Sequence, residues 1–133
     1  YGPTNMDSRH VFSVSSIVEL PFGFQLGGLF YYNSATPWTP TYQTDVNKDG
    51  LVSDYVDEFR NSRRGFDNYF LNLRISKDIN ISSLRIQLIA EGYNIANRTN
   101  FGGIYSRYPH SLFGLPTSAG NPRQLQVGIR VDF

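Results

Sequence analysis

Apolar and polar residues alternate along much of this chain, and a period of two is the signature of strands, not helices. Five stretches carry it, each about ten residues long. Within residues 10–20, Phe12, Val14, Val18 and Leu20 share one face, with Ser16 interrupting. The other face mixes Ser13, Ser15 and Glu19 with Val11 and Ile17. Pro21-Phe22-Gly23 then predicts a tight turn, because proline presets φ and glycine tolerates positive φ. Residues 24–34 set Phe24, Leu26, Phe30 and Tyr32 against Gln25, Gly27 and Asn33. Residues 68–79 set Tyr69, Leu71, Leu73, Ile75 and Ile79 against Asn68, Asn72, Arg74, Ser76 and Asp78, with 80–83 as a short connection. In 84–93, Leu84, Ile86, Leu88 and Ala90 oppose Arg85, Gln87 and Glu91. The cleanest alternation is 124–133, where Leu125, Val127, Ile129, Val131 and Phe133 oppose Gln124, Gln126, Gly128, Arg130 and Asp132.

The connections run short, long, short, long. In an up-and-down antiparallel sheet this places both long connections at one end and both short turns at the other. Strands near ten residues match the length needed to cross a bilayer at a tilt, about 9–11 residues, and exceed the soluble mode of about 5–6. Charged positions such as Arg74, Arg85, Glu91, Arg130 and Asp132 suit a wet lumen and not a dry core. The pattern therefore predicts an all-β fold: about five C-terminal antiparallel strands of a large transmembrane β-barrel, with two long external loops. Five strands cannot close such a barrel, since single-chain barrels start at about eight. Residues 1–133 are accordingly expected to be the C-terminal part of a longer outer-membrane barrel domain, a reading in keeping with a start at Tyr1 that is neither Met nor a leader. The alternative is a soluble or surface-attached β-sandwich, apolar face inward, that binds carbohydrate or protein with calcium.

Composition narrows the classes. The chain has 133 residues, 12 Lys+Arg against 11 Asp+Glu, and a net charge of +1, so it offers no field for nucleic acid. Aromatics reach 15% and charged residues only 17%, which excludes compositional disorder. Phe12, Phe22, Phe24, Tyr31, Tyr32, Trp38, Tyr69, Tyr93 and Phe133 lie near strand ends and are read as interfacial girdles. Cysteine is absent, which removes disulfides, thiolate metal sites and Cys nucleophiles.

The last ten residues resemble the C-terminal signal of bacterial outer-membrane barrels, with Gln126, Gly128, Val131 and Phe133 at its polar, glycine, apolar and terminal aromatic places. By that resemblance the strand is handled by the barrel-assembly machinery, as an edge strand that can be paired by β-augmentation. A wider resemblance spans nearly the whole chain. Asp7-Ser8-Arg9-His10-Val11-Phe12, Glu19-Leu20-Pro21-Phe22-Gly23-Phe24, Ala35-Thr36-Pro37-Trp38-Thr39-Pro40, Asp45-Val46-Asn47-Lys48-Asp49-Gly50, Arg60-Asn61-Ser62-Arg63-Arg64-Gly65 and residues 91–101 occur in an order similar to the late strands of TonB-dependent outer-membrane receptors. The likeness is to the Oar-like subgroup, which carries a carboxypeptidase-regulatory-like N-terminal domain. It implies a barrel of about 22 strands with a plugged lumen, seated in the bacterial outer membrane. Its partners would be outer-membrane lipid, lipopolysaccharide and the TonB system, through a plug and earlier strands that lie outside these residues. The implied role is uptake of a ligand the sequence does not name. A structural barrel subunit of an outer-membrane complex is the variant in which transport is lost.

Residues 45–50 also reproduce the first half of a calcium loop, with oxygens at positions one, three and five and glycine at six. The candidate ligands are Asp45, Asn47, Asp49, Leu51 through its carbonyl, Ser53 and Asp57. Val56 stands where a bidentate glutamate belongs, and a plain polar turn explains the same residues. Arg60, Arg63 and Arg64 are candidates for contact with an anionic ligand or a lipopolysaccharide phosphate, or else pair with Asp54, Asp57 or Glu58. No enzyme is expected. His10 and His110 stand alone, and there is no Gly-x-Ser-x-Gly elbow. Gly27-Gly28 and Gly102-Gly103 lack the context of a phosphate loop, and Asp54, Asp57 and Glu58 share one loop. Tyr105, Tyr108, His110 and Phe113 in 96–122 either bind a ligand or fold that loop on itself.

Overall fold

The computed structural model describes residues 2–133. In chain order its strands are β1 (Val11–Leu20), β2 (Phe24–Asn33), β3 (Pro37–Trp38), β4 (Thr41–Tyr42), β5 (Arg63–Arg64), β6 (Asn68–Ile81), β7 (Leu84–Tyr93), β8 (Phe101–Ile104), β9 (Arg107–Tyr108), β10 (Pro116–Ala119) and β11 (Gln124–Asp132). The chain divides into two compact units. One comprises residues 12–32, 69–99 and 121–133, and the other residues 2–11, 33–68 and 100–120.

The first unit is a five-stranded antiparallel sheet in the order β1-β2-β6-β7-β11. It does not close: β1 and β11 are the outer strands, each paired on one side. Its register sorts side chains by polarity. Ala90 stands opposite Ile75 and Val127, Leu88 opposite Lys77 and Ile129, and Ile86 opposite Ile79 and Val131. One residue along, Glu91 stands opposite Arg74 and Gln126, Gln87 opposite Asp78 and Arg130, and Arg85 opposite Asn80 and Asp132. Because side chains alternate across a pleated strand, these rows fall on opposite faces. Among the described residues of this sheet no hydrophobic side chain is buried, and Leu125, Val127 and Ile129 are 74%, 88% and 72% exposed.

The one cation within the apolar rows is Lys77. Its ammonium sits 4.2 Å from the centre of the Phe24 ring and 3.4 Å from the Phe22 carbonyl oxygen, so it leaves its row for the β1–β2 turn. That is the snorkelling expected of a long basic side chain on an apolar surface. On the same face Phe12, Phe30 and Tyr69 form a row with ring centres 6.2 and 6.3 Å apart, and Arg98 lies 4.4 Å over Tyr69.

Both short turns are tighter than the alternation predicts or equal to it. Between β1 and β2, Phe22 and Gly23 take positive φ of 64° and 78°, and a Cβ on Gly23 would lie 2.9 Å from the Asp78 carbonyl oxygen. Between β6 and β7 the expected connection 80–83 shrinks to Ser82-Ser83. Ile81 pairs with Leu84, and Ser82 takes a φ of 53°. A two-residue hairpin with positive φ matches the twist of its strands, which is why β6 runs on to Ile81.

The second unit is made largely from the two long connections, and it contains three two-stranded ladders that the alternation does not foretell. β3 pairs with β5 and β8 with β10, both antiparallel, and β4 pairs with β9 in parallel. A chain of rings ties them: Tyr42 to Tyr108 at 5.8 Å, Tyr108 to Phe113 at 5.3 Å, Phe113 to Trp38 at 5.7 Å. Trp38, read in the sequence among the aromatic girdles, is one of these packed rings.

Candidate functional site

Two places concentrate polar chemistry, one in each unit. On the polar face of the sheet, Glu91 accepts hydrogen bonds from Arg74 at 3.2 Å, from the Tyr93 hydroxyl at 3.2 Å, and from the Gln126 amide. Arg85 pairs with Asp78 at 2.6 Å and Arg130 with Asp132 at 3.1 Å. Opposite charges thus recur down β6, β7 and β11. Gly27 and Gly28 carry no side chain onto the strip beside Arg74 and Leu73, and a cavity of about 490 Å³ opens there, bounded by Arg74, Glu91 and Tyr93.

In the other unit the basic cluster is divided among three partners. Arg63 holds Asp57 through two bonds of 2.8 Å, and Ser62 adds a third to the same carboxylate at 2.6 Å. The Arg63 guanidinium, helped by the Ser62 hydroxyl, holds the Asp57 carboxyl below its ordinary range. Arg63 also lies 5.9 Å from the Trp38 ring centre and 5.4 Å from that of Phe113. Arg64 meets Asp7 at 2.6 Å and donates to the carbonyl oxygens of Asp7 and Ala35. Arg60 donates to the Asn5 side-chain oxygen at 3.0 Å.

The loop at 45–50 is folded on its own amides. Asp45 accepts from the backbone N–H of Lys48, Asp49 and Gly50 at 2.6, 3.2 and 2.8 Å. Asn47 and Asp49 bond each other, and Asp49 accepts from the Leu51 N–H at 2.8 Å. Asp54, not Asp57, closes the loop by accepting from Val46 and Asn47. Of the candidate calcium ligands, Asp45, Asn47 and Asp49 are brought together. Asp57 is engaged by Arg63, and Ser53 borders a cavity described below. Among the described residues no group of three His, Cys, Asp or Glu is gathered as a cation site. The loop's shape is accounted for by Asx turns, in which a short acidic side chain satisfies the following amides.

The C-terminal signal residues all lie on or beside β11. Gln126 reaches Glu91, and Gly128 has no atom within 4 Å of where its Cβ would be. Val131 pairs with Ile86, and Phe133 is fully exposed just past the strand.

Comparison with known families, with curated proteins and with solved structures returns no match.

One feature is nearly invisible in the sequence. Within the second unit a cavity of about 540 Å³ is bounded by Trp38, Thr39, Tyr55, Arg60, Asn61 and Phe101, among others. The residues that build it come from five separated stretches of chain, so no local motif announces it. The only local hint is the run Thr36-Pro37-Trp38-Thr39-Pro40-Thr41, where hydroxyls and prolines crowd the lone tryptophan.

Proposed function

We propose that this chain supplies C-terminal wall strands and external loops of a TonB-dependent outer-membrane receptor that takes up a ligand. The observation that carries the reading is the sheet of β1, β2, β6, β7 and β11, sorted into an apolar and a charged face while none of its described hydrophobic side chains is buried. A soluble sheet must cover its apolar face with a second layer. A barrel wall instead presents that face to acyl chains and its polar face to a watery lumen. Lys77 and the ring row Phe12–Phe30–Tyr69 support it, because snorkelling cations and aromatic rings collect where hydrocarbon gives way to headgroups.

The unpaired edges of β1 and β11 fit the same reading. Open edges in hydrocarbon cost several kcal/mol per unsatisfied group, so the intact wall needs further strands on both sides. Uptake through TonB rests on the sequence resemblance, and the sandwich and structural-subunit readings make different predictions from it. The test uses the full native protein in its host. The receptor reading expects it in the outer membrane, resistant to carbonate extraction, with a gel mobility that changes on boiling, and crosslinkable to TonB. A protein that is folded and monomeric in detergent-free buffer overturns the barrel. An outer-membrane barrel that never crosslinks to TonB overturns the receptor and leaves the structural subunit.

A further inference from the structure

From the second unit we infer that its 540 Å³ cavity is a binding site for a neutral, hydroxyl-rich ligand, an oligosaccharide. This deepens the receptor reading by naming the ligand class. The cavity nevertheless lies inside one unit and is tested separately from the membrane.

Its volume falls in the range of small-molecule sites, about 300–1,000 Å³. One wall is fixed in advance. Asn61, 5% exposed, donates from its side chain to the Pro3 carbonyl oxygen at 2.7 Å and to Asn5 at 2.8 Å. It also accepts from the Thr39 hydroxyl at 3.0 Å, while its own N–H donates back to that hydroxyl at 2.8 Å. Arg60 donates to the same Asn5 oxygen. A wall whose polar atoms satisfy one another keeps its shape while empty, which is what a site needs in order to bind without first ordering itself.

The rest of the lining is different. The side chains of Thr36, Thr41, Ser53, Tyr55, Asn68 and Ser106 border the cavity and make no hydrogen bond to any described residue. These are five hydroxyls and one amide, groups that both donate and accept. Trp38, Phe66 and Phe101 add ring surface beside them. The one charged lining residue, Arg60, gives one N–H to the neutral Asn5 side chain and keeps further donors for ligand hydroxyls, while no carboxylate lines the cavity to hold a cation, so the lining is dominated by neutral polar groups. Neutral groups that donate and accept, set among aromatic rings, match the alternating hydroxyl and C–H surface of a sugar. A neutral extended peptide would ask for a free strand edge several residues long. The strands at this cavity are β3 and β4, of two residues each, β8, of four, and the first residue of β6; β3, β4 and β8 are paired with β5, β9 and β10.

Trp38 is the only tryptophan of these 133 residues and lines the cavity, so the part of the emission change that is lost in Trp38→Phe reports on the site without a label. The full native protein, folded in detergent, is titrated with maltohexaose, cellohexaose, laminarihexaose and chitohexaose, and with a neutral hexapeptide as control. The expected result is a saturable change in Trp38 emission with at least one oligosaccharide, unmoved by 0.5 M sodium chloride, since no charge pair is involved. Tyr55→Phe, Asn68→Ala and Ser106→Ala each remove one free polar group and should each raise Kd about five- to tenfold for that sugar. None of the three groups holds the unit together, so the gel shift on boiling should persist in all. No saturable change with any oligosaccharide, in protein that keeps its gel shift, overturns the proposal, and so does a response to the hexapeptide alone. Sugar binding by protein that is folded in plain buffer upholds the cavity and overturns the membrane reading.

Discussion

At the scale of single residues, two neighbours on β11 carry opposite expectations. Val127 stands 88% exposed in the apolar row with Ile75 and Ala90, while Gln126 bonds Glu91 on the charged face. If the apolar face meets acyl chains near the bilayer centre, Val127→Arg should cost about 2–4 kcal/mol of folding free energy. Gln126→Arg sets a cation beside Glu91 and should change stability little. A denaturant titration in lipid vesicles checks this, and equal penalties at both positions would refute the assignment of faces. Asp57 gives a second residue-level expectation. Its carboxyl is held below its ordinary range by Arg63 and Ser62, so the folded form favours the ionised state. The stabilisation is therefore present at neutral pH, begins to fall below about pH 4, and is lost as pH drops through the depressed value. Asp57→Asn lacks it at every pH. The variant should show a lower emission midpoint in denaturant at pH 7 and no further loss from this pair on acidification. Since the pair is partly exposed, the effect is small. Trp38, stacked near Arg63, is the reporter. A variant that matches the parent at pH 7 would show that the bond adds no stability.

At the scale of elements, Gly92 decides how β7 ends. It is buried between Leu73 and Leu125 in the register, and an added Cβ would overlap the Ile95 Cδ1 and fall 3.0 Å from a Leu125 methyl. The chain turns away immediately afterwards, with Asn94 at a φ of 49° and the Ile95 N–H donating to the Leu71 carbonyl oxygen at 2.8 Å. Gly92→Val should therefore overpack this corner by about 1–3 kcal/mol, with Gly92→Ala costing less. Ile95→Ala should return part of the loss, because the end of that side chain is the nearer obstacle. Thermal unfolding of the four variants in detergent measures the coupling, and strict additivity would mean that Ile95 is not the obstruction. The long strands were legible because their alternation persists over enough residues to fix both type and face. Lys77 was not, since its place depends on a lysine stem bending toward Phe24 in another strand. Nor were β3, β4, β5 and β9, two residues each, since a period cannot be read from two residues. They exist only because distant segments meet.

At the scale of the whole chain, the sequence and the structure agree on an all-β molecule built around five antiparallel strands. They diverge over the long connections. Read along the chain, residues 35–67 and 94–123 are turns, a half-formed cation loop and scattered aromatics. In space much of them joins one packed unit, stitched by Arg63–Asp57, Arg64–Asp7 and a run of rings from Tyr42 to Trp38. Pairs separated by fifty or more residues, such as Arg64 with Asp7, leave no periodic trace. The sugar cavity was hidden for the same reason, while the single hydroxyl-rich run around Trp38 was visible but had no partner to give it meaning.

The bare rims of β1 and β11 have one more consequence. A rim with a free backbone ladder accepts any strand offered, including its own copy. Made by itself in bacteria, this stretch should therefore not stay dispersed. Its molecules would join rim to rim into insoluble ribbons, recovered as inclusion bodies, and a strand supplied to cap either rim should keep them apart.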